Sequence, residues 1–275
     1  MKDRVLIAAS REPTGPPLRM PAVPSQHVQS TSAWIRKALS DVPKGGTARV
    51  FCGPQGTEIP WLALCAHLKT IEVHGLSPQR LMEIRETAAD GASAAQLIAS
   101  EPDVLGLIDN AIAASATSEP VEAAEGLEPS PTPLAPTDLI VCSGVASQAH
   151  IPALATLRHL ATARDALDED PRWHAASLGV AQRCQQALGA VLSNAVAPQG
   201  QLVLVVSTAM AHVTQTVDGS WSFPGWYRML AVDIEALHPG LVVIGEDQWT
   251  WVRPHPTPHT PGEVIRIFAV RCNGA

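Results

Sequence analysis

Residues 47–81 constrain the fold more than any other stretch of the chain; they read TARVFCGPQGTEIPWLALCAHLKTIEVHGLSPQRL. Residues 48–52 are short, apolar and β-leaning, and Gly53-Pro54-Gln55-Gly56 breaks them. Residues 59–68 are apolar enough for a buried helix, and 71–73 read as a second short strand. Ser77-Pro78 then supplies a helix N-cap followed by proline at the first helical position. Two short strands joined by a helix form a βαβ unit, whose ligands sit at the carboxyl ends of its strands. The first place to look for a binding site is therefore the turn at 52–58 together with the turn at 74–77.

Composition narrows the class. The chain has 275 residues, 46% hydrophobic, enough for one large α/β domain with insertions. A net charge of −7 argues against non-specific nucleic-acid binding, which needs a basic face. The five cysteines (Cys52, Cys65, Cys142, Cys184 and Cys272) are scattered, with no CxxC, so neither a zinc ribbon nor a disulfide framework is indicated. No window reaches the roughly 18 apolar residues of a membrane span. A reducing cytoplasm is the expected compartment.

The order strand, glycine-bearing turn, helix, strand, Leu-Ser-Pro, helix resembles the first half of the class I S-adenosylmethionine (SAM) dependent methyltransferases. Leu76 to Leu81 (LSPQRL) follows that pattern well. The first turn departs from it. Cys52 stands at the motif's acidic position, Pro54 and Glu58 at two of its glycines, and only Gly56 agrees. The acidic residue that holds the ribose hydroxyls in the family falls on Gly75. Two later stretches carry the resemblance further: DLIVCS (138–143) as the fourth strand, and APQGQ followed by LVLVVST (197–208) as the approach to the fifth. Residues 241–251 and 264–272, joined by RPHPTPHTPG, match the family's antiparallel closing pair. The fold implied is a Rossmann-like α/β domain: a seven-stranded, mostly parallel sheet with an antiparallel last strand and helices on both faces.

The remaining segments are read on that frame. Residues 1–29 form a proline-rich arm, and 30–275 the methyltransferase-like domain, with a helix opening at Ser30-Thr31-Ser32. Residues 93–100 are expected as a short helix and 104–108 (VLGLI) as the third strand, ending at Asp109. The resemblance makes Asp109 the adenine contact; a turn-capping Asx motif is the alternative. Residues 113–137, rich in Ala, Pro, Glu, Ser and Thr, lack apolar periodicity and are expected as a disordered or loosely packed insertion. Helical residues in 151–195 and the aromatic segment 212–230 are expected to cap the cleft or form a dimer face.

For chemistry, the resemblance assigns cofactor binding to Cys52, Gly53, Gly56, Gly75, Leu76 and Asp109, with SAM as cofactor and no metal. His150, in the loop after the fourth strand, is a candidate general base because histidine titrates near neutrality; the alternative is a histidine at a helix start. Trp221, Trp226 and Tyr227 are candidates for the wall of an apolar acceptor pocket, or for core packing of the cap. Cys52 and Cys142 are expected to approach each other as inert buried thiols. His255 and His259 have H-x3-H spacing but no third ligand, so no metal site is indicated. The expected function is SAM-dependent methyl transfer to a small, apolar or aromatic acceptor. The alternative is a non-catalytic scaffold or partner subunit that keeps the fold. Neither nucleic acid nor membrane is expected as a partner.

Overall fold

The computed structural model describes residues 25–90, 95–100, 103–161, 167, 169–215, 221–222, 227–228, 235–253 and 262–274. The arm at 1–24, Trp226, His255 and His259 lie outside them.

Apolar runs buried on both faces become the central strands, as in parallel sheets covered by helices. β1 (Thr47–Phe51) pairs in parallel with β2 (Thr70–His74) on one side and β4 (Thr137–Ser143) on the other. β3 (Gln96–Ser100) pairs in parallel with β2, and β5 (Val196–Gln215) with β4. β8 (Val242–Arg253) and β9 (Gly262–Asn273) form an antiparallel pair, and β9 runs antiparallel to β5. The order is β3-β2-β1-β4-β5-β9-β8. Two-residue strands β6 (Trp221–Ser222) and β7 (Tyr227–Arg228) pair with the far part of β5. The sheet is Rossmann-like, seven-stranded along its main path, mostly parallel, with an antiparallel last strand.

Alternation along the strands divides the core in two. Val50, Cys52, Leu139, Val141, Val203 and Val205 face α1 (Ser25–Leu39), α2 (Trp61–His67) and α3 (Pro78–Asp90). Phe51, Ile140, Cys142, Leu202 and Leu204 face the opposite layer. That layer holds α4 (Leu107–Ser115), α5 (Pro120–Glu125), α6 (Ile151–Leu160) and α7 (Pro171–Ala195).

Three expectations are corrected. First, the third strand is residues 96–100, not 104–108, so the described part of the stretch expected as a helix at 93–100 is a strand instead. The carboxylate of Asp103 accepts from the backbone N–H groups of Leu107 and Ile108 at 3.0 and 2.6 Å and starts a helix there. Gly106, at φ 62°, makes the turn into it. The apolar VLGLI run is thus a helix start, and the more polar QLIAS is an edge strand. Second, the middle of the segment 113–137 is not loosely packed: residues 120–125 form α5. Val121, Ala123, Ala124 and Leu127 are buried. The Arg183 guanidinium of α7 donates to the carbonyls of Ala124, Glu125 and Leu127 at 3.1, 3.2 and 3.1 Å, closing the C-terminus of α5. Small side chains let this helix lie close to α7, which a count of large apolar residues does not register. Third, α1 starts at Ser25, so residues 25–29 belong to the helix and not to the arm. Its first turn is anchored by His27, whose Nδ1 accepts from Trp249 Nε1 at 3.1 Å and whose ring stacks on Trp251 at 4.3 Å.

Candidate functional site

β1 is the switch point of the sheet: the chain leaves it for β2 on one side, while β4 lies on the other. In such sheets the crevice opens at the carboxyl ends of the strands beside the switch. The turns after β1, β2 and β4 lie at that end.

The β1–α2 and β2–α3 turns are fastened to each other through backbone. Cys52 N donates to His74 O at 3.1 Å, and Ser77 N donates to Pro54 O at 2.9 Å. Gly75, at φ +91°, is pressed against the end of β1, so that a Cβ there would sit 2.3 Å from Cys52 O. Gly56, at φ +50°, is enclosed: its Cβ would meet Leu76, Trp61 and the Cys52 thiol at 3.0–3.2 Å. Trp61 Nε1 donates to Gly56 O at 2.8 Å and fixes the turn from below. Gly53 has open space where a Cβ would be. The sequence-derived set Cys52, Gly53, Gly56, Gly75 and Leu76 is therefore brought together, but most of it is consumed in packing turn on turn.

The β4 side differs. Ser143, the last residue of β4, donates its hydroxyl to Glu58 Oε1 at 2.9 Å. α2 starts at Trp61, so Glu58 lies in the turn before the helix rather than at the helix start. Gly144, at φ +70°, has open space beside it. Glu58 and Ser143 thus span the crevice between the ends of β1 and β4, and a half-buried carboxylate stands at its mouth. His27 is close enough to feel that charge: burial lowers its pKa, and Glu58 partly opposes the shift. Sequence reading assigned no site role to Ser143 or His27. The signal available was that Ser143 ends the clearest strand in the chain.

The two thiols face opposite helix layers and are inert. Burial pushes Cys52 up to about 12, with the Glu58 and Cys142 charges adding to the rise. Burial also pushes Cys142 up to about 12, partly offset by a hydrogen bond from the Ala146 backbone. Neither forms a thiolate near neutrality.

On the α4–α7 face of the sheet lies a polar cluster. The Arg49 guanidinium donates to Glu72 Oε2 through Nε at 2.9 Å and Nη2 at 2.5 Å, and through Nη1 to Ala135 O at 2.8 Å. Ser100 Oγ donates to Glu72 Oε1 at 2.5 Å, and His74 Nε2 lies 3.3 Å from the same oxygen. Burial by itself would raise the Glu72 pKa. The hydrogen bonds from Ser100 and Arg49 and the charges of Arg49 and His74 outweigh it and hold the carboxyl below its usual range. His74 is buried and stacks on Phe51 at 4.5 Å, so its ring is committed to this cluster rather than to the crevice.

The other sequence-derived residues separate. Asp109 is exposed in the first turn of α4 and does not end a strand. His150 is the residue before α6; its Nδ1 is buried without a hydrogen-bond partner, and burial lowers its pKa to about 4, so the ring is neutral at pH 7. Trp221 and Tyr227 lie in β6 and β7, opposite Gln215 and Met210 on the distal part of β5. No group of three or more His, Cys, Asp or Glu able to hold a metal occurs among the described residues. No helix among them is long and apolar enough to cross a membrane. A shallow groove of about 420 Å³ between α1 and α2, lined by Arg36, Lys44 and His67 among others, lies at the opposite end of the sheet from these turns.

Tested against SAM, the site fits at one end. The Glu58 carboxylate suits an ammonium or sulfonium group, and the open space at Gly53 and Gly144 leaves room for a ligand between the turns. At the ribose end the contact at Gly75 excludes any side chain, so no carboxylate can stand there.

No known sequence family matches the chain, and no curated protein matches it. Among solved structures the chain is similar to a proposed methyltransferase of Bacillus halodurans C-125, at TM-score 0.45 and 9% identity over 89% of this chain and 98% of that one. It is similar to an S-adenosylmethionine-dependent methyltransferase of Clostridium acetobutylicum, at TM-score 0.43 and 11% identity over 90% and 92% of the two chains. It is also similar to the glycopeptide N-methyltransferase MtfA, at TM-score 0.40 and 13% identity over 94% and 100%. The strand order, not these likenesses, identifies the sheet.

Proposed function

We propose that the chain binds SAM at the carboxyl ends of β1 and β4 and transfers its methyl group to a small, apolar or aromatic acceptor. The observation that carries this reading is the Glu58–Ser143 pair, which sets a carboxylate across the switch-point crevice where a cationic ligand can be held. When bound, SAM supplies a methyl group on a positively charged sulfur. The protein's own part is positional: Glu58 and Ser143 orient the cation, Gly53 and Gly144 leave room for it, and the zipped turns keep that geometry rigid. Orientation of this kind supplies much of the rate in a bimolecular transfer. His150 is the candidate base after the fourth strand, made a weak one by the burial that lowers its pKa to about 4, and Trp221, Trp226 and Tyr227 are candidate walls for the acceptor.

A second reading has its own observation. The sealed Gly75 contact removes the ribose acceptor, and loss of a charge-assisted acceptor costs about 1.5–3 kcal/mol, about ten- to over a hundredfold in affinity. A scaffold or partner subunit with the same fold would have no need of that acceptor. Calorimetric titration with SAM and with S-adenosylhomocysteine separates the two readings. Micromolar binding of both, weakened at least tenfold in Glu58→Gln, is the expected result. No heat and no thermal shift at millimolar ligand would leave the scaffold reading.

A further inference from the structure

Beyond the Glu58–Ser143 pair, the α1–α3 face of the sheet carries a second polar and aromatic group, and strand register places it. Ser143 stands level with Val205 of β5, Ala269 of β9 and Asp247 of β8. Two residues further, in the direction in which β4 runs, Ser207, Ile267 and Trp249 are level, and Trp251 stands two residues beyond Trp249. Val203, Val205, Ile267 and Trp249 lie in the α1–α3 core layer, with Trp251 packed against it, and alternation puts Ser207 on the same face. β8 is three strand spacings from β4, about 14 Å.

His27, in the first turn of α1, closes the far end of this row. It is only 8% exposed; its Nδ1 accepts from Trp249 Nε1 and its ring stacks on Trp251. An indole nitrogen can only donate, so Nδ1 is the accepting nitrogen and the neutral ring carries its hydrogen on Nε2. Burial lowers the His27 pKa, which keeps the ring neutral at pH 7, and the opposing pull of Glu58 ties it electrically to the mouth of the crevice. The two ring nitrogens diverge, so with Nδ1 held by β8 the Nε2–H points away from that strand.

A donor fixed in place and in tautomer, beside a stacked indole, suits an aromatic ligand that carries an oxygen acceptor. At the other end of the row the Glu58 carboxylate repels an anion and accepts from a hydroxyl. Side chains at both ends take up part of the distance between them, and what is left suits two fused rings better than one. We propose that His27 is the specificity-determining donor for the methyl acceptor: its Nε2–H takes the carbonyl oxygen of a neutral two-ring aromatic whose hydroxyl faces Glu58 and Ser143. This assignment rests on the reading of the crevice given above.

The test is fluorescence titration of the full chain with 7-hydroxycoumarin, which has both groups, and with 2-naphthol, which lacks the carbonyl. The expected result is binding of the coumarin about fivefold or more tighter than of the naphthol. His27→Phe keeps the stack on Trp251 and removes the donor, so the preference should vanish there while SAM affinity is unchanged. Equal affinity for the two probes, no binding of the coumarin, or a preference that survives in His27→Phe overturns the proposal. Phenylalanine also leaves Trp249 Nε1 without its acceptor. If that variant does not fold, nitrogen NMR of the imidazole in the parent chain decides: the His27 Nε2 resonance should move on adding the coumarin, and an unmoved resonance at saturation overturns the proposal. A coumarin preference that depends on His27 in a chain that shows no SAM binding would remove the methyl-transfer reading and keep this site, so the two failures are told apart.

Discussion

The two sides of the switch point are built from different materials. On the β2 side, backbone meets backbone: Gly75 against the Cys52 carbonyl, Ser77 N–H on the Pro54 carbonyl, and Gly56 enclosed by Leu76 and Trp61. On the β4 side, side chains meet across open space: Glu58 on Ser143, with Gly144 free beside them. A site made of backbone is rigid and tolerates almost no substitution. A site made of side chains sets charge and specificity and can be changed at little cost to the fold. One side of the crevice is therefore closed by packing, and the other presents polar side chains beside open space.

The sharpest way to break that contrast is Gly75→Ala. A methyl 2.3 Å from a carbonyl oxygen, at φ +91°, forces the turns apart. The expected loss is roughly 3 kcal/mol or more of unfolding free energy, read by urea denaturation; a loss under about 1 kcal/mol would show that the zipped turns are not what holds this side.

Next in size is Arg49→Met, which removes the partner of a carboxylate only a quarter exposed. Breaking such a pair should cost about 2–3 kcal/mol at pH 7, less than for a fully buried one. The pH dependence gives the sign. Glu72 is held below its ordinary value, so its contribution is full above the unfolded-state pKa and is lost as pH falls through the folded one. The variant and the parent should therefore converge in acid, and parallel stability curves from pH 7 to pH 3 would show that Glu72 is not the group responsible.

The β4 side should respond in the opposite way. Glu58→Gln is expected to change unfolding free energy by no more than about 1 kcal/mol, while weakening SAM as described above. Smallest of all, Asp109→Asn should cost about 0.5 kcal/mol through the α4 dipole and leave ligand affinity untouched, since the carboxylate is exposed on a helix turn.

These differences explain what the sequence could and could not reveal. The βαβ unit at 47–81, the DLIV strand and the reversed closing pair were legible because apolar runs and turn residues declare themselves locally. The third strand was not, since QLIAS is less apolar than the VLGLI run beside it, and Asp103 decides between them through a capping contact that apolarity does not encode. α5 was missed because Ala123 and Ala124 bury little area each and rely on Arg183, 59 residues beyond Ala124, to end the helix. In the site, the glycines were visible, but whether each glycine makes room for a ligand or for another turn depends on what lies opposite. Gly53 faces open space and Gly75 faces a carbonyl, and nothing in either neighbourhood of the sequence tells them apart. The Glu58–Ser143 pair joins residues 85 apart and exists only once β1 and β4 are neighbours.

The contact at Gly75 also limits how this protein can change. Every glycine codon becomes an aspartate or glutamate codon through a single base substitution, so at most glycines an acidic side chain is one mutational step away. Here that step leads into a carbonyl oxygen, and the fold blocks what the genetic code allows. An acidic side chain at this end of the crevice would have to come from a position whose Cβ has room, which Gly75 does not offer.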